Sequence, residues 1–294
     1  MKTGLLAVLA GGLVLLAGAP ADALQVTVSI LPQKYFAERI GGDLVDVAVM
    51  VEPGASPATY EPRPRQMAQL ARSSIYFAIG VPFESAWLEK IAGANKRMRI
   101  IRTADAVARI MMAAHHHEDA GPGEHGRDGG GIPDPHVWLS PPLVRILCET
   151  MRDALVSADP AHAAAYRSNY IRFAREINRC DEDILNLLQD SPPEARRFMA
   201  YHPAWGYFAR TYGLHQVTVE LEGKEPGPRQ LAALIRRARQ TGIRTVFVQP
   251  QFSEKNARVL ARGIGAAVVR ADPLAYDWPA NLAAVARQFA GALR

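Results

Sequence analysis

The chain has 294 residues, a length that suits one large domain or two ordinary lobes. Its 34 basic and 29 acidic residues give a formal net charge of +5 and are spread along the sequence. Because there is no dense Lys/Arg block with interleaved aromatic residues, we do not expect a nucleic acid partner. The two cysteines, Cys148 and Cys180, are too few for a disulfide framework, and the sequence allows either two buried thiols or one bridge.

Residues 1–23 have the order of segments that is typical of a secretory signal peptide. Lys2 is followed by an uncharged, Leu-rich run at 4–18 and then by Ala21-Asp22-Ala23. The run is shorter than the roughly 20 residues of a membrane-spanning helix, although an N-terminal membrane anchor is the alternative. No cysteine follows the run to accept a lipid. We therefore expect an exported periplasmic protein that is cleaved after Ala23 and has no lipid anchor.

From residue 24 onward, the sequence predicts alternating strands and helices. The predicted strands are 24–30, 45–51, 75–79 and 98–102, and the predicted helices are 32–40, one from Pro64, and 84–92. This alternation favours a parallel sheet with helices on both faces. Residues 113–134 interrupt the pattern with a His run followed by Gly- and Pro-rich sequence, which predicts a long, flexible surface loop.

A long helix and a second α/β series follow. Asp159-Pro160 is a strong helix start, and apolar residues then recur at helical spacing until Ser191-Pro192-Pro193. The later predicted strands are 198–201, 216–221, 245–248 and 267–270, and the helices begin near Pro203, at 228, at 253 and at 279. We predict an α/β protein with two parallel-sheet lobes, at 24–158 and 191–294, joined by a long, rigid helix at 159–190. A cleft between two lobes is the usual place for a ligand.

Three segments with metal-binding side chains stand where strand patterns end. They contain His136, His202 and Asp272, each next to a proline that restricts the backbone. Ligands of open α/β sheets gather beyond the carboxyl ends of the strands, and two imidazoles with one carboxylate suit a borderline metal such as zinc. Taken singly, each histidine could be structural and the aspartate could belong to a turn.

Six short motifs follow one another along the chain, namely Gly54-Ala55-Ser56-Pro57, Tyr60-Glu61-Pro62, Asp134-Pro135-His136-Val137-Trp138, Tyr201-His202, Gln249-Pro250-Gln251-Phe252 and Asp272-Pro273-Leu274. With these motifs the chain resembles the zinc/manganese solute-binding proteins of bacterial ABC importers. The resemblance implies two lobes that face each other across a metal site, with a stiff helix that permits only small closing motions. It also implies delivery of zinc, with manganese as the alternative, to a membrane permease. His136, His202 and Asp272 match the metal ligands of the family.

One position departs from the family pattern. Ala58 stands where the family normally has a further metal-binding His, and a methyl group cannot coordinate a metal. Water could fill the open position, with Thr59 as its hydrogen-bond partner, or this lineage could bind something else. A substitute ligand is the third alternative, and its candidates are His115, His116, His117, His125, Glu61 and Glu225.

Other side chains are expected near the site. We expect aromatic residues to pack around it and limit water, namely Tyr60, Trp138, Trp205 and Tyr207, with plain packing at the lobe edge as the alternative. Gln249 stands where the family often carries Glu, which removes one negative charge near the cleft. Most carboxylates of the segment 220–225 are expected to be solvated, with Glu225 as a candidate that supports or replaces a ligand.

We do not expect an enzyme. Three protein ligands and an open water position are typical of catalytic zinc, but the sequence has no HExxH helix and no Gly-x-Ser-x-Gly elbow. The stronger alternative is a binding protein for a metal chelate or another small solute, and a third is a periplasmic zinc buffer without a permease. The His-rich loop and the lack of a second carboxylate ligand favour zinc over manganese. We expect the protein to be a monomer.

Overall fold

The computed structural model of the protein describes residues 23–112, 132–192, 196–220, 227–240, 243–252 and 254–292. Residues 1–22 of the predicted signal peptide at 1–23, the loop histidines at 115–117 and 125, and Glu225 lie outside these residues. The described residues form two four-stranded parallel sheets with helices packed around them, which confirms the predicted fold class.

The first sheet has the strand order β2-β1-β3-β4 and is parallel throughout. Its strands are β1 (Leu24–Val28), β2 (Val45–Val49), β3 (Ile75–Ala78) and β4 (Arg99–Arg102), and its helices are α1 (Leu31–Gly41), α2 (Pro64–Leu70) and α3 (Pro82–Ala94). Each helix has a proline in its first turn, where the missing N–H would have no partner within the helix. All four residues of β3 are buried, as expected of a central strand.

The second sheet repeats this order as β6-β5-β7-β8, again parallel. Its strands are β5 (Arg197–Ala200), β6 (His215–Thr218), β7 (Thr245–Val248) and β8 (Ala267–Arg270), and the helices α6 (Gly206–Tyr212), α7 (Pro228–Gln240), α8 (Glu254–Ile264) and α9 (Trp278–Ala292) accompany them. Most of the predicted strands and helices are therefore confirmed to within a few residues.

Two long helices lie between the sheets in the sequence. Helix α4 (Pro141–Ala158) contacts α5 (Ala163–Leu188), and a 3-10 turn at Pro160–His162 separates them. The segment predicted as one long helix therefore begins with this turn and continues as α5, whose 26 residues span about 39 Å. Helix α4 is not among the predicted elements. Within the described residues, no helix is long and apolar enough to cross a membrane.

A continuous hydrophobic core links the two sheets through α5 and α9. Phe173 on α5 packs against Phe36, while Phe289 on α9 packs against Phe198 and Phe247 at ring-centroid distances of 4.5 and 4.0 Å. Because α9 follows the second sheet but contacts α5, the lobes are joined by packing as well as by the chain. The domain boundaries at 158 and 191 stay a prediction.

The two cysteines are both free and buried. Burial raises the pKa of the Cys180 thiol to about 12 and that of the Cys148 thiol well above its ordinary value. Both thiols are therefore protonated at neutral pH, and they fill space in the core.

Candidate metal centre

A cavity of about 320 Å³ opens where loops from both sheets meet. The lobe of the first sheet contributes Ala58 and the segment from Gly80 to Pro82, which begins two residues after the end of β3. The second sheet contributes His202 after β5 and Gln249 after β7. From β5 the chain continues to β6 on one side, and β7 and β8 follow on the other side of β5. The strand order therefore reverses between β5 and β7, and His202 and Gln249 lie at this topological switch point, where α/β sheets bind ligands.

His136 and His202 meet across this cavity. Their Nε2 atoms are 3.4 Å apart, and the ring planes cross at 76°. Two imidazole nitrogens that bind one tetrahedral zinc ion at about 2.0–2.1 Å, with an angle of about 109°, are separated by about 3.3 Å. The pair is therefore spaced to share one zinc ion without a large rearrangement.

Asp134 orients the His136 ring. Its Oδ1 atom lies 2.7 Å from Nδ1 of His136 and also accepts the His136 backbone N–H at 2.9 Å. A carboxylate at Nδ1 keeps the proton on that nitrogen, which leaves the Nε2 lone pair to face the cavity. Burial lowers the pKa of the His136 imidazole, although Asp134 opposes this shift, so the ring is held in the neutral form that binds metals.

Asp134 is itself fixed by its surroundings. It is 2% exposed, and its backbone carbonyl accepts hydrogen bonds from the Arg109 guanidinium at 3.2 Å and from the Tyr207 hydroxyl at 3.3 Å. A second nitrogen of Arg109 donates to the carbonyl of Ile79 at 2.8 Å. Arg109 therefore joins the loop after β3 to the loop that carries His136.

Glu220 orients the His202 ring in the same manner. Its Oε2 atom lies 2.5 Å from Nδ1 of His202, and the residue is only 8% exposed. The Glu220 backbone N–H donates to the Tyr201 carbonyl at 2.9 Å, so pairing beside β5 continues past the end of β6 and brings Glu220 next to His202. The expectation of a mostly solvated segment is thus wrong for this residue.

Gln249 and Phe252 complete the support of His202. The Gln249 side chain accepts the His202 backbone N–H at 3.2 Å and donates to the His202 carbonyl at 2.8 Å. The Phe252 ring stacks on the imidazole at 5.1 Å with an interplanar angle of 18°. Both the backbone and the ring plane of His202 are therefore set before any metal arrives, which reduces the ordering cost of binding.

Trp138 joins the two halves of the site. Its indole N–H donates to the Pro273 carbonyl at 2.7 Å, and its own carbonyl accepts from the Trp278 indole at 2.6 Å. Its ring centroid is 5.2 Å from that of His136.

Asp272 lies beside this cavity and not on its wall. It lines a neighbouring cavity of about 260 Å³, where its Oδ1 accepts the Leu274 backbone N–H at 2.9 Å and faces Gln251 Nε2 at 3.5 Å. Among the described residues, no group of three or more His, Cys, Asp or Glu side chains is assembled as a metal site. The structure thus brings His136 and His202 together without Asp272, whose role as a ligand stays a prediction.

Several predicted neighbours lie away from the cavity wall. Thr59 and Glu61 are exposed, and the Tyr60 hydroxyl donates to Gln66. Trp205 is fully buried and packs against the rings of Phe208 and Phe289, so it belongs to the core and does not line this cavity. Besides the aromatic residues Trp138 and Phe252, the cavity is lined largely by aliphatic residues and prolines from the loops.

The ends of the loop that carries the predicted histidines are at the cavity. Met112 and Ile132 line it, and the Met112 backbone N–H donates to the Ile132 carbonyl at 2.9 Å. Met112 and Ile132, which flank the segment with the predicted loop histidines, therefore lie at the same cavity as the His136–His202 pair.

Sequence reasoning did not identify the functions of Asp134, Glu220 and Arg109. The contact of Asp134 with His136 could have been predicted, because Asp134 stands two residues before His136 in one of the six motifs. Glu220 and Arg109 are distant in sequence from the groups that they hold, and only strand pairing and loop packing bring them there.

The chain is similar to known zinc-uptake proteins. The family model described as "ZnuA: Zinc-uptake complex component A periplasmic" matches residues 26–292. A crystal structure of ZnuA is 41% identical, with a TM-score of 0.84 over 93% of this chain and 100% of that chain. A zinc-bound deletion mutant of ZnuA is 40% identical, with a TM-score of 0.83 over 92% of this chain and 98% of that chain.

A longer curated relative is the zinc-binding protein AdcA of Streptococcus pyogenes serotype M3. It is 25% identical over 262 residues, which are 85% of this chain and 50% of AdcA. The chain therefore spans about half the length of this relative.

Proposed function

The chain belongs to the family of the periplasmic zinc-uptake component ZnuA, and we propose that it captures a divalent transition metal between His136 and His202. We propose zinc as the preferred metal, with manganese as the alternative, and delivery of the metal to an ABC importer in the membrane. The observation that carries this proposal is the 3.4 Å separation of the two Nε2 atoms. Members of this family are transport components and not enzymes, so the site binds and releases its metal without turning it over.

Capture depends on two imidazoles that are already oriented. Asp134 and Glu220 hold the Nδ1 protons, so both Nε2 lone pairs are available to an incoming ion. The two buried carboxylates also offset the charge of a dication, whose burial without compensation would be costly.

The remaining ligands are part of the proposal. Asp272 reaches the metal if its carboxylate leaves the Leu274 N–H and turns from the neighbouring cavity. Ala58 lines the cavity and offers no donor, so water or a substitute takes that position. Of the substitutes, Glu61 is exposed and absent from the cavity wall, and the attachment of the loop at Met112 and Ile132 supports the loop histidines.

Zinc is favoured over manganese by the donor set and its spacing. Imidazole nitrogen suits zinc, whereas manganese prefers oxygen ligands, and the His136–His202 separation fits tetrahedral coordination. Periplasmic location without a lipid anchor, a monomeric state and a permease partner belong to the same proposal.

Titration calorimetry of metal-stripped protein with zinc and manganese tests the proposal. We expect one tight zinc site that His136→Ala and His202→Ala each weaken by about 100-fold, the loss expected from removing one of few ligands. His162→Ala is the matched control, because His162 is held by Asp159 outside the cavity. Deletion of residues 113–131 shows whether a loop histidine is a ligand. Equal affinity of the wild type and both cavity variants would refute the site.

A further inference from the structure

The cavity is much larger than a metal ion. Its volume of about 320 Å³ lies within the range of pockets that hold small organic ligands, about 300–1,000 Å³. A single water molecule occupies about 30 Å³ in the liquid, so an ion with two bound waters would leave most of the cavity unfilled.

The wall of the cavity suits an organic molecule better than a hydrated ion. Much of it is aliphatic or proline, including Val81, Pro82, Ile132, Pro135, Pro273 and Leu274. Among the described residues that line it, none is Asp, Glu, Lys or Arg. Gln249 directs its side chain at the His202 backbone, so its polar atoms are already used. Two positions of a tetrahedral metal would therefore face a largely apolar space.

We infer that the metal enters this cavity together with a small chelator of the amino-carboxylate class, whose amine nitrogen and carboxylate oxygen occupy the two coordination positions that His136 and His202 leave open. The chelator then takes the place of Asp272 and of the water or substitute ligand, and Asp272 keeps its hydrogen bond from the Leu274 backbone N–H. The inference rests on the proposed function, because it requires a metal at the histidine pair. Binding through nitrogen requires the neutral amine, so the chelator releases one proton to solvent and arrives as a monoanion.

The charges near the histidine pair agree with a monoanionic chelator. The carboxylates of Asp134 and Glu220 and the guanidinium of Arg109, which bonds the Asp134 carbonyl, sum to one negative charge. A divalent ion changes the sum to one positive charge, and an amino-carboxylate brings it to zero. Neutrality matters because an uncompensated charge is costly to bury.

Position 58 offers a matched pair of variants. Ala58 is an exposed loop residue that also borders the cavity, so larger side chains are tolerated there without repacking the core. Ala58→His adds a nitrogen donor on the cavity wall. Ala58→Leu adds a side chain of similar size that has no donor.

Equilibrium dialysis of the purified, metal-stripped protein tests the inference. Zinc is held at one fixed free concentration, alone or with L-histidine or glycine, and both protein-bound zinc and the retained amino acid are measured. We expect one amino acid to be retained per zinc and the apparent zinc affinity to rise by at least about tenfold, since a bidentate ligand presents its second donor at high effective concentration. Ala58→Leu should lose this enhancement, and Ala58→His should bind zinc alone more tightly and retain less amino acid.

The contrary outcomes separate the inference from the proposed function. One zinc bound per protein, with neither amino acid retained and no change in affinity, would overturn the chelator and leave metal capture intact. Equal retention of the amino acid by Ala58→Leu would place the chelator outside the cavity and would also overturn the inference. Failure to bind zinc under any condition would refute the proposed function itself.

Discussion

Glu220→Gln tests whether the carboxylate behind His202 strengthens metal binding. The amide is nearly the same size and can still accept the Nδ1 hydrogen bond through its oxygen, so the ring should keep its position. The substitution removes the negative charge 2.5 Å from Nδ1. This charge makes the imidazole a better metal ligand at Nε2. Only the electrostatic contribution to binding is therefore removed.

The size of the effect follows from the kind of hydrogen bond. Charge-assisted hydrogen bonds are about twice as strong as neutral ones, whose net contribution is about 1 kcal/mol. Losing about 1–2 kcal/mol corresponds to zinc affinity that is about 5–30-fold weaker, which overlaps the lower part of the 10–100-fold range known for partners of metal ligands.

The assay is zinc competition against a colorimetric chelator at pH 7.5. Glu149→Gln is the control, because it removes a carboxylate from the surface of α4, where the side chain is 56% exposed. It should change affinity by less than twofold. If Glu220→Gln bound zinc as tightly as the wild type while both unfolded at the same urea concentration, the carboxylate would have no part in tuning His202.

Three further predictions concern the framework around the site. Phe289→Ala should cost about 3–5 kcal/mol in urea unfolding, since the ring is fully buried and packs on both Phe198 and Phe247; a loss below 1 kcal/mol would contradict the shared core. Trp138→Phe should cost about 1–3 kcal/mol, because the Pro273 carbonyl loses its donor, and an unchanged midpoint would show that water replaces it. Burial raises the pKa of Glu84 above 4.5, so the folded state binds more protons than the unfolded state just above that pH. The unfolding free energy of the wild type minus that of Glu84→Gln should therefore fall as the pH rises from 4.5 through the pKa of folded Glu84. If the two proteins instead gave parallel curves of unfolding free energy against pH between 4.5 and 8, this prediction would be contradicted.

The sequence predicted the fold because its periodic signals are local. Buried strands such as β3 read as short apolar runs, and helices such as α7 begin at prolines that follow turn residues. The strand order was not predictable in this way, since pairing of β1 with both β2 and β3 depends on packing between distant segments.

The site was predictable where a motif places the donor next to a strand end. His136 and His202 satisfy that condition and meet in the structure, and Ala58 lies on the wall of the same cavity. Asp272 shows the limit of this reasoning, because an aspartate before a proline can also accept a backbone N–H within its own turn, as it does with Leu274. Glu220 shows another limit, because its partner lies 18 residues away and is reached only through the pairing of β6 with β5.

The most direct test of the central claim is anomalous diffraction at the zinc edge from crystals of the zinc-loaded protein. We predict one strong peak between the imidazoles of His136 and His202, at about 2.0–2.1 Å from each Nε2 atom. A peak that lies elsewhere, or that contacts only one of these two histidines, would contradict it.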